Sequence, residues 1–522
     1  MSSNERDAPL ATTTTGRVRG RLEAGVSVFR GMPYARTPVG ELRLAAPAPA
    51  EPWSGVREAA EFGPRPPQST LMGASGARDG DDDWLTVNVW SPDLAGDLPV
   101  MVWIHGGGYV YGWSGDPLFD GATLARDGVV VVTFNYRLSA EGFGHFPGAP
   151  ANRGLLDQVA ALRWVQENIS AFGGDPGRVT VFGESAGAGC IAALMAMPSA
   201  AGLFRRAIAQ SVPGLYFTEA LATDIAAAVT GRLGLPHSAR ELVRVPPSRL
   251  NDAADHVAGR MADHFEWGAA AHIGSPFAPV VDGDVLPETP WQALADGAAA
   301  GVELVVGHTR DEYRLFLFAK GETGTITLEQ ADATLDLLAP QSFRAAYPTE
   351  DPERLYELAH SDWMFRMPSL RLAQAQHVHG PTHLYELAWE APGLGGAVLG
   401  ACHGLGVPLT FGNLTAGAAE LLIGAAPSAT AARLSARVRR AWTDFASTGN
   451  PGWPAYAPPE RLTWVIDTEP DVRTYPHEAS RLAWSQHSAA PLDLCRSPDG
   501  APRQSRLGGV EGRIDRVGYR FT

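Results

Sequence analysis

Short runs of consecutive apolar residues, most of them β-branched, recur along this chain, and each ends in a glycine-rich or polar turn. Pro99–Ile104 (PVMVWI) runs into His105-Gly106-Gly107-Gly108, and Val129–Asn135 (VVVVTFN) follows. Arg178–Phe182 (RVTVF) enters Gly183-Glu184-Ser185-Ala186-Gly187, Val302–Gly307 enters His308-Thr309-Arg310-Asp311-Glu312, and His383–Trp389 is a later run. Such runs, lacking polar alternation, predict strands buried on both faces, the pattern of a parallel sheet covered by helices. Between them Leu155–Phe172 repeats apolar residues at helical spacing, and Ala186–Met197 predicts a helix of small residues. The fold class is therefore α/β, with reactive loops at the carboxyl ends of parallel strands. No repeat or linker divides the chain, so residues 1–490 are expected to form a single domain. Within it, 215–276 reads as a helical insertion that caps or walls a pocket. Residues 491–522 read as a loosely held tail.

Composition narrows the classes. The 522 residues are 45% hydrophobic and 19% charged, enough for a large core, and the 58 glycines and 41 prolines imply many turns around it. A formal net charge of -15 argues against a nucleic-acid or anionic-membrane partner, either of which needs a basic face. No apolar run reaches the roughly 18 residues that span a bilayer. The opening MSSNERDAPLATTTTG lacks a signal pattern, so a soluble, cytoplasmic protein is expected. Cys190, Cys402 and Cys495 are too few for a disulfide framework and have no metal-ligand spacing, so no metal is expected.

The chemistry centres on Gly183-Glu184-Ser185-Ala186-Gly187. A G-x-S-x-G between strand and helix holds a nucleophilic serine on a sharp turn, with small residues letting strand and helix approach. The N–H groups of the following helix point at charge developing there. After the Pro99–Ile104 strand, His105-Gly106-Gly107-Gly108 reads as the other half of an oxyanion hole, because glycines let backbone N–H groups approach a substrate closely. A serine alcohol needs a base. In this arrangement the acid and then the histidine follow the serine along the chain. Asp311 and Glu312 are equal candidates by spacing, and a merely solvated acidic pair is the plainer reading. His360, His377, His379, His383, His403, His477 and His487 are the candidate bases, and composition does not choose among them.

From about Thr12 to about Trp484 the chain resembles the type-B carboxylesterases, the group of bacterial para-nitrobenzyl esterases and animal cholinesterases. The markers are VFRGMPYA (28–35), VNVWSP (87–92), WIHGGG (103–108), NYRL (135–138), GLLDQVAALRWVQENISAFGGDP (154–176), FGESAG (182–187), AQS (209–211), GHTRDE (307–312) and GACHGLGVPLTFGN (400–413). The resemblance implies an α/β-hydrolase fold and a triad of Ser185, Glu312 and His403. Gly107, Gly108 and Ala186 then supply the oxyanion-hole N–H groups, Ser211 helps hold the acid, and Arg137 and Asp157 form a structural ion pair. Two departures stand out. Positions that form a loop disulfide in animal relatives hold Pro66 and Trp84, which fits a reducing compartment and leaves the Leu71–Asp83 loop freer. Gly406 stands where relatives often carry an acidic residue, which bears on how the histidine loop is anchored.

The expected function is hydrolysis of small-molecule carboxylic esters through an acyl-enzyme, without metal or organic cofactor. A carbamate or activated-amide hydrolase of the same mechanism is the near alternative, and a non-catalytic binding protein the distant one. Trp113, Phe119, Trp267, Phe277, Phe316, Trp363, Met364 and Phe365 are candidate pocket lining, against the plainer reading of core aromatics. The acidic run Asp79, Asp81, Asp82, Asp83 reads as cation steering or, more simply, as a solvated loop.

Overall fold

The apolar runs become strands of one mixed sheet. The computed structural model describes residues 8–71, 80, 82–393 and 399–495. Eleven strands form the main sheet: β1 (Arg21–Glu23), β2 (Val26–Pro33), β3 (Thr86–Ser91), β4 (Leu98–Ile104), β5 (Val130–Phe134), β6 (Gly174–Glu184), β7 (Arg206–Gln210), β8 (Glu303–Thr309), β9 (Thr382–Leu387), β10 (Thr463–Ile466) and β11 (Asp471–Arg473). Their order across the sheet is β11-β10-β9-β8-β7-β6-β4-β5-β3-β2-β1. From β10 to β5 all neighbours are parallel, and antiparallel strands close both edges.

Both faces of the central strands are buried. Along β4, Val100, Val102 and Ile104 enter one apolar cluster and Met101 and Trp103 enter the other. That explains the uninterrupted apolar spelling. Helix α1 (Arg153–Asn168) and helix α2 (Ala186–Ala196) occupy the predicted helical stretches, the former closing in a short 3-10 turn at Ile169–Phe172. The antiparallel edge strands have no comparable signal, being short or interrupted by polar residues.

Register decides where the site is built. Ile104 pairs with Gly183, Glu184 with Gln210, and Gln210 with Gly307. The carboxyl ends of β4, β6, β7 and β8 therefore stop at one level, and the turns that follow them stand side by side.

Residues 215–276 hold α3 (Glu219–Arg232), α4 (Pro247–Ala258) and short turns. The ends of this excursion are zipped by a parallel pair, Phe217–Thr218 with Val280–Val281. The tail read as loose from 491 is held at its start: Leu492 N–H donates to Tyr216 O at 2.7 Å, Thr218 N–H to Leu492 O at 2.9 Å, and Cys495 N–H to Glu266 O at 2.7 Å. Its remainder, 496–522, lies outside the described residues, as do 72–79 and 81 of the Leu71–Asp83 loop, with Asp79 and Asp81 of the acidic run. Among the described residues no helix is long and apolar enough to cross a membrane.

Candidate active site

Ser185 sits between β6 and α2 with φ 57° and ψ −128°. That backbone region is costly for a residue with a Cβ and persists only where the surroundings enforce it. Here the enforcement is packing. A Cβ on Gly187 would lie 2.0 Å from Ile104 O, so only glycine lets the new helix press against the end of β4. Ser185 N–H donates to Gln210 O at 3.0 Å, which fixes the turn from the other side. Ala186 opens α2, and its N–H belongs to the first turn, where helices leave N–H groups without intrahelical partners.

The glycine run after β4 lies alongside. Gly107 and Gly108 adopt φ of 111° and 58°, and Tyr109 continues at 65°. His105 is buried, stacks on Tyr136 at 4.5 Å, and places Nδ1 2.9 Å from Gly106 O. Burial pushes its imidazole down to about 4, so it stays neutral and supports the loop.

The turn after β8 and the loop before Gly406–Phe411 bring two predicted residues together. His403 Nδ1 lies 2.6 Å from Glu312 Oε2, and Glu312 Oε1 accepts from Thr309 N–H at 2.8 Å. The Ser211 side chain also bonds this carboxylate. Burial works to raise Glu312, but the His403 charge and these hydrogen bonds outweigh it and hold the carboxyl below its usual range. Of the seven histidines, His403 is the one on this carboxylate. His383 packs against Phe445 and Trp453, His477 bonds Glu386, and His360 is pushed by burial to about 3 between Tyr313 and Tyr356. Asp311 is also buried but faces the other way, toward Ala401 and three arginines.

The residue that sequence reasoning passed over is Glu184, the variable position of the G-x-S-x-G. Its Oε1 lies 3.1 Å from His403 Nε2 and accepts from Gly404 N–H at 3.1 Å. The contact with Nε2 is close but not aligned as a hydrogen bond, so that nitrogen keeps its bonding capacity. Burial raises Glu184 to about 7, with the Glu312 charge adding to it against His403 and Gly404. Burial alone would lower His403, yet Glu184 and Glu312 together hold it above its ordinary value. An ionisable residue inside the motif was the available signal. The Gly404 bond and the ties at Ala401 also anchor the histidine loop without an acidic residue at 406.

The imidazole is walled by Phe365 at 4.3 Å and Phe316 at 5.3 Å between ring centroids. Met364 clusters with Phe365 and Tyr313, with Trp363 at its edge. Trp113 packs on Phe62, Phe119 on Trp103 and Phe411, and Trp267 on His264; Trp267 and Phe277 are core. Pro66 and Trp84 are both buried, and the three cysteines are free thiols. Among the described residues no cluster of His, Cys, Asp or Glu has the arrangement of a metal site.

A family profile described as "Carboxylesterase family" matches residues 7–481. The chain is 38% identical over 491 residues to a para-nitrobenzyl esterase of Bacillus subtilis (strain 168), covering 90% of this chain and 97% of the relative. It is 35% identical over 483 residues to a phenmedipham hydrolase of Pseudarthrobacter oxydans, covering 88% and 95%. Among solved structures, a PNB esterase superposes with TM-score 0.82 at 38% identity over 91% of this chain and 99% of that one. A carboxylesterase of Geobacillus stearothermophilus gives 0.80 at 34% identity, with the same coverage.

Proposed function

The chain belongs to the carboxylesterase family, and from that premise we propose that it hydrolyses small-molecule carboxylic esters through an acyl-enzyme on Ser185, with His403 as base and Glu312 as its orienting acid. That it is a carboxylic ester hydrolase with the α/β-hydrolase fold follows from its relatives; the residue roles are our reading. The observation that carries it is the placement of one imidazole. His403 is bonded through Nδ1 to a buried, ionised Glu312, and its Nε2 lies against the residue that immediately precedes Ser185.

In this reading Ser185 Oγ attacks the ester carbonyl as its proton passes to His403 Nε2, and the carbonyl π pair becomes an oxyanion held by the N–H groups of Gly107, Gly108 and Ala186. The tetrahedral species expels the alcohol, which takes the proton from His403. Water then attacks the acyl-enzyme, giving up a proton to the same nitrogen, and the carboxylic acid leaves as Ser185 regains its hydrogen. Glu312 stabilises the imidazolium throughout. Residues 215–276 are proposed to wall the substrate space, supported by Ser275 Oγ donating to Gly108 O at 2.9 Å.

The direct test is hydrolysis of a short-chain aryl ester followed on the pre-steady-state timescale. A burst of aryl alcohol equal to the enzyme concentration is expected. No hydrolysis across a panel of acyl lengths would overturn the reading.

The pH profile supplies a second check. His403 must be neutral to act, and its proton is held more tightly than the ordinary value of about 6.5. The acid limb of kcat/KM is therefore expected to have its midpoint above that value. In Glu184→Gln one of the two carboxylates holding the proton is gone, so the midpoint should fall. A limb that stays in place in the variant would show that the Glu184 contact does not govern the base.

A further inference from the structure

Asp311 is the half of the Asp311-Glu312 pair that the proposed relay leaves unused, yet it is as inaccessible to solvent as its neighbour. We propose that Asp311 is a positioning residue that clamps the backbone of the loop carrying His403, while Glu312 grips the imidazole. The inference rests on His403 being the base.

The clamp is double. Asp311 N–H donates to Ala401 O at 2.9 Å, and Ala401 N–H donates back to Asp311 Oδ2 at 3.1 Å. Asp311 and Cys402 also form an isolated parallel β-bridge. Main chain and side chain of one residue thus hold the segment two positions before His403. The loop's other backbone ties are single: His403 N–H to Glu312 O at 3.4 Å and Gly404 N–H to Glu184 Oε1 at 3.1 Å.

The carboxylate is itself braced. Arg310, Arg314 and Arg354 reach it at 3.3, 3.3 and 3.5 Å. Glu357 in turn binds Arg314 at 3.1 Å and Arg354 at 2.7 Å. Arg314 begins helix α5 (Arg314–Lys320), and Arg354 and Glu357 lie on helix α6 (Pro352–Ser361). Two helices and the end of β8 are thereby locked to one point of the histidine loop. The loop is pressed against this point: Gly400 has φ +57°, and a Cβ there would lie 2.6 Å from Arg314 Nη1 and 2.7 Å from Asp311 Oδ2. A buried carboxylate with this many partners is expensive to keep for stability alone. Aimed at a main-chain N–H beside the base, it fixes where the imidazole stands. Catalysis is steeply sensitive to such placement, about 10²-fold per ångström.

The test uses the full-length enzyme and an aryl ester, with kcat, KM, the acid limb and thermal midpoint measured for wild type, Asp311→Asn, Gly400→Ala and Ser185→Ala. Asparagine still accepts from Ala401 N–H but loses its hold on the three guanidiniums. Gly400→Ala pushes on the same contact from the loop side. Both are expected to lower kcat by about 10–100-fold with KM within about two-fold, because the displacement falls first on the base. Their acid limb should also drift down toward about 6.5 as the imidazole loosens from Glu312. A role in stability alone would lower the thermal midpoint and leave kcat per titrated active site and the acid limb as in wild type; that result in folded Asp311→Asn overturns the clamp. If Asp311→Asn does not fold, an unchanged kcat and limb in Gly400→Ala overturns it equally. Equal activity of wild type and Ser185→Ala would instead strike the hydrolase reading itself.

Discussion

Ser185→Ala is expected to lower kcat on an aryl ester by about 10⁴–10⁶-fold. Without the hydroxyl there is no acyl-enzyme, and water would have to attack directly under the same histidine. The glycine cradle and bound-substrate orientation survive, so a residual acceleration of about 10³-fold over the uncatalysed reaction should remain. The fold should not suffer. Alanine accepts the φ of 57° no worse than serine does, and the backbone bond to Gln210 does not involve the side chain. The measurement is kcat with a matched thermal midpoint and a loss of the aryl-alcohol burst. Retention of more than a tenth of wild-type turnover in a clean preparation would sink the assignment of the nucleophile.

The largest effect on stability is expected at Asp157→Ala, away from the chemistry. Arg137 and Asp157 are fully buried. Arg137 Nε and Nη2 donate to the two carboxylate oxygens at 2.8 and 2.7 Å, and Arg137 N–H adds a third bond at 3.0 Å. The fourth arm, Nη1, reaches Ala45 O at 2.6 Å. The pair ties the segment after β5 to helix α1 and to the amino-terminal region. Deleting the carboxylate leaves a guanidinium in the interior without its counter-charge, a loss of about 3–5 kcal/mol. That is a large share of the about 5–15 kcal/mol that holds a typical fold. A chain of this size need not unfold in one step, so the urea midpoint and the half-life of activity at fixed temperature should both be followed. A variant within about 0.5 kcal/mol of wild type, the range of an ordinary surface change, would contradict this account.

Much of the architecture was legible before any coordinates. The runs at 99–104, 129–135, 178–182, 302–307 and 383–389 fall on β4, β5, β6, β8 and β9, shifted by a residue or several at their ends. They could be read because a strand covered on both faces needs no polar position, and few other elements spell that way. The edge strands carry no such constraint, and β7 and β10, though parallel, are only five and four residues long and include polar positions, so none of these stands out among the runs. Strand signals thin out over 215–276, where α3 and α4 lie, but the pair Phe217–Thr218 with Val280–Val281 is two residues long on each side, too short to leave a pattern. The held start of the tail was likewise invisible, since backbone hydrogen bonds such as Leu492 to Tyr216 leave no mark on side-chain choice.

The site divides in the same way. Local chemistry marked the serine and the glycine run, because a strained turn and a close backbone approach restrict residue type at neighbouring positions. It could not choose between Asp311 and Glu312 or among seven histidines; family resemblance favoured Glu312 and His403. The geometry gives the two carboxylates different partners, one on the imidazole and one on the loop backbone. Glu184 shows the limit most plainly. Its contact with His403 joins residues 219 positions apart; an ionisable side chain inside the motif marks it as unusual, but nothing near it names the partner. Residue order alone was enough for five of the buried strands, the elbow and the types of group available for acyl transfer, since these depend on neighbours along the chain. Which charges face one another came from the folded chain, because those distances are set by strand register and loop closure across hundreds of residues.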